Sequence, residues 1–225
     1  MPFCEIGDRR IHYIEHGEGS PVLLLHGWGG SHKSFMPVMA ALSGRHRVVA
    51  LDFPGHGETD EPSQPWSVTE YAQMTLEFIY KVIGGPCNVI GHSFGGRVCI
   101  YLAASWPEMV RKLILCDSAG ILPRRGPSYY VRVYTYKLGK KMARWGVFRR
   151  LLGMLGVDVE KKIKNAGSAD YRALSEGMKK TFVRVVNQDL RPLLPKIQAE
   201  TLLVWGAMDQ DTPLYQGKIM EKEIK

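Results

Sequence analysis

The chain has 225 residues, of which 45% are hydrophobic and 23% are charged, enough to bury a sizeable core in one domain with a small insertion. It contains no repeats or low-complexity tracts, which excludes a disordered chain and a solenoid, and no apolar stretch approaches the roughly 18 residues that a membrane-spanning helix needs. The net charge of +8 is concentrated between Ile121 and Lys164, a segment that contains 12 Lys and Arg but only two acidic residues.

The amino-terminal half opens with a predicted hairpin, in which Phe3–Ile6 and Arg9–Ile14 flank a Gly7-Asp8 turn. Five short apolar runs follow along the chain. Their apolarity is continuous rather than alternating, so we expect both faces of each strand to be covered, as in a parallel sheet under helices. The runs are Val22–Leu25, Val48–Leu51, Asn88–Ile90, Leu113–Cys116 and Thr201–Trp205.

Helical patterns separate these runs. One helix is predicted to start at Ser67, where Glu70 completes a capping box, and to end at Gly84-Gly85. Another is predicted from about Gly95 to Ser105, before Pro107. The alternation predicts an α/β fold, with a mainly parallel, twisted sheet and helices on both faces.

The alternation stops after the sixth strand, because residues 121–195 offer no strand run. An all-helical insertion between two strands is typical of a cap over the carboxyl edge of the sheet, where open α/β sheets bind ligands. We therefore predict a core in residues 1–120, a helical cap in 121–195 and the second part of the core in 196–225. The helical patterns of the cap are Tyr129–Arg144, Phe148–Leu155 and Ser175–Val186.

The most informative motif is Gly91-His92-Ser93-Phe94-Gly95, between a predicted strand and a predicted helix. A tight strand-to-helix turn strains the backbone and needs small residues two positions on either side of the serine. It lifts the hydroxyl above the sheet and points the helix amino terminus at it. The context therefore predicts that Ser93 is a nucleophile rather than part of an ordinary glycine-rich turn.

Four motifs together resemble the α/β-hydrolase superfamily, in the branch of small esterases, carbon–carbon bond hydrolases, perhydrolases and prolyl aminopeptidases. They extend over nearly the whole chain and are specific for the fold, but only weakly so for the substrate. The four motifs are His26–Gly30, Asp52–Gly57, the Ser93 motif and Trp205–Asp209.

The resemblance implies a role for each matching residue. Ser93 would be the nucleophile, and the backbone N–H groups of Trp28 and Phe94 would form the oxyanion hole. Asp209 would be the acid that orients a histidine, since the order in this fold is Ser, Asp, His; the alternative is a turn residue before Thr212-Pro213. No cofactor or metal ion is implied.

Two further acids have other interpretations. Asp117, just after its strand, stands where some members of the superfamily carry the triad acid, but a capping role is favoured. Asp52 is expected to fix the Pro54-Gly55 turn and to take no part in the chemistry.

The histidines depart from the family pattern. All seven precede Ser93, whereas the resemblance places the general base on a loop after a final strand beyond Asp209. His92 is the neighbour of Ser93, but the turn is expected to point the two side chains apart, and His26 belongs to the oxyanion loop. The expectation is a chain that lacks the carboxyl-terminal strand and catalytic histidine, and is inactive or weakly active.

The function expected from these residues is that of a cofactor-free serine hydrolase acting on an ester or related acyl bond of a small molecule. The basic residues of the cap are expected to form a solvated face; the alternative, since aromatic residues lie among them, is a helix with an apolar pocket on one side that attracts anionic substrates or membrane surfaces on the other. No nucleic-acid recognition motif accompanies the charge. The alternatives are a non-catalytic binding protein and a truncated product; the oligomeric state stays open.

The compartment is predicted from the cysteines and the amino terminus. The first ten residues lack the apolar run of a secretory signal. The four cysteines form no Cys-x-x-Cys pair, and three lie in predicted strands or helices, so free thiols and a cytoplasmic protein are expected. They are Cys4, Cys87, Cys99 and Cys116.

Overall fold

The computed structural model describes residues 2–123, 126, 134–135, 171 and 174–225. The chain forms two compact units: Met1–Leu122 with Glu176–Lys225, and Pro123–Ser175. The helical patterns predicted at Tyr129–Arg144 and Phe148–Leu155 fall almost entirely outside the described residues. The third, Ser175–Val186, corresponds to a helix that belongs to the first unit.

The first unit is built on a seven-stranded sheet in the order β1-β2-β4-β3-β5-β6-β7. β1 pairs antiparallel with β2 and β2 with β4, and the remaining neighbours are parallel. The mainly parallel sheet predicted from the sequence is confirmed. The strands are β1 (Phe3–Ile6), β2 (Arg9–His16), β3 (Ser20–Leu25), β4 (His46–Leu51), β5 (Cys87–His92), β6 (Val110–Cys116) and β7 (Glu200–Val204).

Helices cover both faces of this sheet. Leu23 and Leu25 of β3 pack into one apolar cluster and Val22 and Leu24 into a second cluster, which explains why the run is continuously apolar. The helices of the first unit are α1 (Met36–Leu42), α2 (Val68–Phe78), α3 (Phe94–Ser105), α4 (Glu176–Asn187) and α5 (Leu214–Glu223).

The start and end of α2 follow the sequence signals. The capping box is present: Thr69 N–H donates to Ser67 Oγ at 3.2 Å, and Ser67 N–H donates to Glu70 Oε2 at 2.7 Å. After Phe78 the chain continues through a π-helical turn, Ile79–Ile83, and stops at Gly84, whose φ of 87° suits glycine. The predicted boundaries are confirmed.

Helix α4 packs against the chain segment that leads into α2. Its buried residues include Met178, Thr181 and Val185. The N–H of Trp66 donates to Thr181 Oγ1 at 3.2 Å, and Val68 N–H donates to the Oε1 of Gln188 at 2.9 Å. These bonds fix α4 on the core and so determine where its remaining side chains lie.

Strand β7 lies at the edge of the sheet that the structure describes. Leu202 and Val204 are 56% and 48% exposed, although the sequence run is apolar throughout. Between β7 and α5 is a groove of about 450 Å³, whose lining includes Leu203, Trp205 and Ile224. Ser93 and Asp209 do not line this groove. Among the described residues, no helix is long and apolar enough to cross a membrane.

Candidate active site

Ser93 occupies a strained turn between β5 and α3. Its φ of 50° and ψ of −107° lie in a region that costs a non-glycine residue on the order of 1–3 kcal/mol. Neighbouring backbone holds this conformation: Ser93 N–H donates to the Cys116 carbonyl at 3.1 Å, and the Ser93 carbonyl accepts the N–H groups of Arg97 (3.3 Å) and Ala119 (3.1 Å). The strain predicted from the motif is therefore present in the structure.

The two glycines of the motif are required by close packing. A Cβ at Gly91 would collide with the Cys99 sulfur, and one at Gly95 would collide with the Leu25 carbonyl oxygen. The second collision is with backbone, which cannot move away cheaply. The turn therefore lies tightly against the end of β3, which leads directly into the His26–Gly30 loop.

The predicted oxyanion residues come together beside Ser93. A Cβ placed on Gly27 would lie 3.5 Å from Ser93 Cβ and 2.9 Å from His92 Nδ1, so this loop runs next to the serine. The indole of Trp28 contacts the Phe94 ring edge-to-face, with ring centroids 5.2 Å apart. The side chains of the two residues predicted to bind the oxyanion through their backbone are therefore in contact, and the loop that carries Trp28 lies next to Ser93.

His26 has a structural part in this loop. Its Nδ1 donates to the Gly27 carbonyl at 2.7 Å, and its Nε2 accepts the Phe53 N–H at 3.0 Å. Burial lowers the pKa of His26 to about 4, so the ring is neutral at pH 7. With both nitrogens engaged, His26 fixes the loop and has no free lone pair for proton transfer.

Asp209 lies in a tight turn after β7. Its carboxylate accepts the N–H groups of Asp211 (2.7 Å) and Thr212 (2.8 Å) and the Thr212 hydroxyl (2.9 Å). The hydrogen bond from the Thr212 backbone is the main cause that lowers the pKa of Asp209; burial opposes it, and the charge of His92 adds to the lowering. The side chain is therefore ionised at pH 7 and fixed in position.

Asp117 ties two strand ends together. Its Oδ1 accepts the Gly206 N–H at 2.7 Å, its own N–H donates to the Val204 carbonyl at 2.9 Å, and its carbonyl accepts the Thr212 hydroxyl at 3.0 Å. Its φ of 42° is also unusual. These bonds link the end of β6 to the loop that carries Asp209, in agreement with a capping role.

Asp52 is fully buried in a network of N–H donors. It accepts the backbone N–H groups of His32 (2.6 Å) and Glu58 (3.0 Å) and the Nδ1 atoms of His12 (2.9 Å) and His32 (3.0 Å). Burial alone would raise the pKa of Asp52, but these hydrogen bonds outweigh it and lower the pKa. Asp52 thus links the loop after β4 to His12 and His32; its predicted part in the Pro54-Gly55 turn stays a prediction.

His12, His32 and Asp52 are also the residues that could hold a metal ion in the described part of the chain, since one donor atom of each lies within 4.8 Å of the others. The distances from the two histidine Nδ1 atoms to the Asp52 carboxylate, 2.9 and 3.0 Å, are those of ordinary hydrogen bonds. Asp52 accepts four N–H groups, whereas His12 Nε2 is buried and has no hydrogen-bond partner among the described residues.

Two histidines lie beside the candidate site: His92, to which the sequence analysis gave no catalytic part, and His56, which it did not single out. His92 is exposed at the end of β5 and close enough to Asp209 for its charge to lower that pKa; the shared carboxyl edge of β5 and β7 is the signal that indicates this proximity. His56 lies within the Asp52–Gly57 motif and is buried against Trp28 and Phe94, but the motif assigned it no role in the chemistry.

Comparison with known proteins gives the family. A family model described as "alpha/beta hydrolase fold" matches residues 20–225. The pimeloyl-[acyl-carrier protein] methyl ester esterase of Neisseria meningitidis serogroup C is 30% identical over 224 residues, which is 91% of this chain and 81% of that protein. The chain therefore belongs to the α/β-hydrolase family.

Other curated relatives match over a shorter part. A putative carbamate hydrolase of Azorhizobium caulinodans is 33% identical over 147 residues, 59% of this chain and 56% of that protein. The (E)-2-((N-methylformamido)methylene)succinate hydrolase of Acinetobacter baylyi is 30% identical over 49% of this chain and 42% of its own length. The matched region thus spans about half the length of these two relatives.

The solved structures agree on the fold. The enol-lactonase from Burkholderia xenovorans LB400 superimposes with a TM-score of 0.73 at 22% identity, covering 99% of this chain and 88% of that one. A membrane phospholipase A described as a bacterial virulence factor gives a TM-score of 0.74 at 26% identity, covering 100% and 75%.

Proposed function

We propose that this chain is a serine hydrolase that cleaves an ester or related acyl bond of a small molecule through an acyl-enzyme on Ser93. The observation that carries the proposal is the strained Ser93 conformation, with φ at 50°, directly beside the Gly27-Trp28 loop. A serine is held in such a turn at a cost, and that cost is understandable where the hydroxyl must face a substrate.

The proposed chemistry proceeds in two steps. Ser93 Oγ attacks the acyl carbon and loses its proton to a base, while the carbonyl oxygen becomes an oxyanion bound by the N–H groups of Trp28 and Phe94. The alcohol then leaves with a proton, and water hydrolyses the acyl-enzyme. Loss of one oxyanion donor typically costs about 3 kcal/mol of barrier. Asp209, ionised and fixed by Thr212, is proposed as the acid that orients the base.

The relatives support an ester as the bond cleaved. The matched Neisseria protein is named a methyl ester esterase, and the match covers 91% of this chain. We propose an apolar or anionic acyl group, and a cap in residues 121–195 as the element that selects it. The basic residues between Ile121 and Lys164 support attraction of an anion. The four free cysteines support a reducing compartment such as the cytoplasm.

The 225 residues contain no histidine after Asp209. We propose that the chain in this form turns over slowly, because loss of a triad histidine typically costs about 10⁶-fold in turnover. The same observation favours a second candidate function, a protein that binds a small acyl compound without cleaving it.

Hydrolysis of p-nitrophenyl acetate separates these functions. We expect a rate only slightly above buffer, with the excess removed by Ser93→Ala and kept by the control Ser105→Ala, an exposed serine at the end of α3. An excess that survives in Ser93→Ala would refute the nucleophile. Rapid turnover that depends on Ser93 would show that another group supplies the base.

A further inference from the structure

The imidazole of His56 is a neutral ring with one free acceptor. The side chain is 6% exposed, and its Nδ1 lies 3.2 Å from the Pro54 carbonyl oxygen. A carbonyl oxygen only accepts, so Nδ1 carries the proton of this hydrogen bond. Burial is the main cause that lowers the pKa of His56. The ring is therefore uncharged at pH 7, and Nε2 presents a bare lone pair.

This lone pair lacks a partner in the part of the chain that the structure describes. Nε2 of His56 is buried, and it has no hydrogen-bond partner among the residues that the structure describes. His26, the neighbouring histidine, differs in having both of its nitrogens bonded. Buried acceptors in native proteins nearly always find a partner, and an exception calls for an explanation such as a ligand or an ordered water.

The position of the ring indicates a ligand. His56 contacts Trp28 edge-to-face at 4.8 Å and stacks on Phe94 at 6.0 Å. These are the two residues whose backbone N–H groups are proposed to bind the oxyanion. The half-buried Trp28 indole also contacts the Phe182 ring of α4 at 5.2 Å. The free acceptor therefore belongs to the aromatic group that borders Ser93.

We propose that His56 Nε2 accepts a hydrogen bond from a hydroxyl or amide N–H group carried by the acyl part of the substrate. The inference rests on the proposed function, since it places the acyl part beside Ser93. Because Nε2 has almost no exposed surface, a substrate reaches it only when neighbouring side chains move. A site with a fixed, buried acceptor discriminates strongly against an analogue that lacks the donor.

The first experiment needs no turnover. The protein is labelled with ¹⁵N-histidine, and the His56 resonances are followed by NMR while 3-hydroxybutyrate or butyrate is added. We expect an unprotonated, unbonded Nε2 in the free protein, and a shift of its signal with 3-hydroxybutyrate but not with butyrate.

Several results would overturn the proposal. These are a protonated Nε2, a signal already typical of a hydrogen bond to ordered water, no shift with 3-hydroxybutyrate at the highest concentration, or equal shifts with both acids. His56→Phe assigns the signal, and thermal melting shows whether that variant folds; if it does not, His56→Gln provides the assignment.

The second experiment uses the Ser93-dependent hydrolysis of p-nitrophenyl 3-hydroxybutyrate and p-nitrophenyl butyrate. We expect the ratio of their kcat/KM values to fall at least about tenfold in His56→Phe. His56→Gln, whose amide oxygen can replace Nε2, is expected to recover part of the ratio. His16→Phe, an exposed histidine at the end of β2, is the control and is expected to leave the ratio unchanged.

The two proposals fail in different ways. If the ratio is the same in His56→Phe and the wild type while Ser93→Ala removes hydrolysis, the His56 inference fails and the proposed function stands. If Ser93→Ala leaves hydrolysis unchanged while the NMR shift is specific for 3-hydroxybutyrate, the proposed function fails and the acceptor remains.

Discussion

Replacing Gly95 by alanine is expected to destabilise the protein much more than the same replacement at a glycine with open space around it. The added Cβ would collide with the Leu25 carbonyl oxygen and lie 2.8 Å from the His26 carbonyl oxygen. Both are backbone atoms at the end of β3, in the buried centre of the sheet. These collisions can therefore be removed only if α3 or the His26–Gly30 loop shifts.

The magnitude follows from the kind of collision. Adding a methylene to a well-packed core costs about 1–3 kcal/mol when side chains can adjust. Here backbone must move, so we expect about 3 kcal/mol or more, by comparison with that range. For a protein of 150–250 residues, each kcal/mol lowers the melting temperature by about 2–4 °C, which gives a decrease of about 6–12 °C.

The assay is thermal unfolding followed by circular dichroism, with Gly44→Ala as the matched control. Gly44 has no heavy atom within 4 Å of the position of an added Cβ, so its variant should melt within about 1–2 °C of the wild type. A Gly95→Ala variant that melts with the control would refute the account of the turn, because it would show that the strand end and the helix are not in close contact.

Two other expectations concern the Asp52 network and the sheet edge. Asp52→Asn should lower the free energy of unfolding by about 3–5 kcal/mol at pH 7. Hydrogen bonding lowers the pKa of Asp52 in the folded protein. The extra stability of the wild type is therefore fully present above the pKa of aspartate in the unfolded chain, about 3.9, and is lost as the pH falls through the folded pKa. Urea unfolding at pH 7 and pH 3.5 measures this, and a pH-independent difference would contradict it. Val204→Lys should raise the monomer fraction in size-exclusion chromatography, because a charge on an exposed apolar edge strand opposes pairing with another chain; a wild-type chain that is already fully monomeric would show that the edge is protected.

Much of the fold could be predicted because local signals agreed with each other. The apolar run at Val22–Leu25 has both faces covered, and the Ser67 capping box forms as its spacing indicates. The Ser93 motif marks a strained turn because two glycines permit close contact of strand and helix. In each case the sequence signal itself lies within a few residues along the chain, although the packing that it permits, such as that of Gly95 on the Leu25 carbonyl, joins distant segments.

The remaining features depend on contacts between distant segments. His12 and His32 bond to Asp52 across 40 and 20 positions, and neither histidine has a local pattern that indicates a buried carboxylate partner. Nε2 of His56 is a free acceptor because the Pro54 carbonyl accepts the proton of Nδ1 in a hydrogen bond and because Nε2 itself is buried without a partner among the described residues. The exposure of Leu202 and Val204 results from the order of the strands, which apolarity alone does not determine.

The central claim, that Ser93 is the nucleophile, is tested most directly by covalent labelling. The chain is incubated with an excess of an alkyl fluorophosphonate, in which a serine oxygen attacks phosphorus and fluoride leaves, and is then digested and analysed by mass spectrometry. Because no histidine follows Asp209 to activate the serine, the account predicts slow labelling that gives one adduct, on the peptide that contains Ser93, which is absent from Ser93→Ala and present in Ser105→Ala. An adduct on another residue, or an unmodified Ser93 after prolonged incubation, would contradict it.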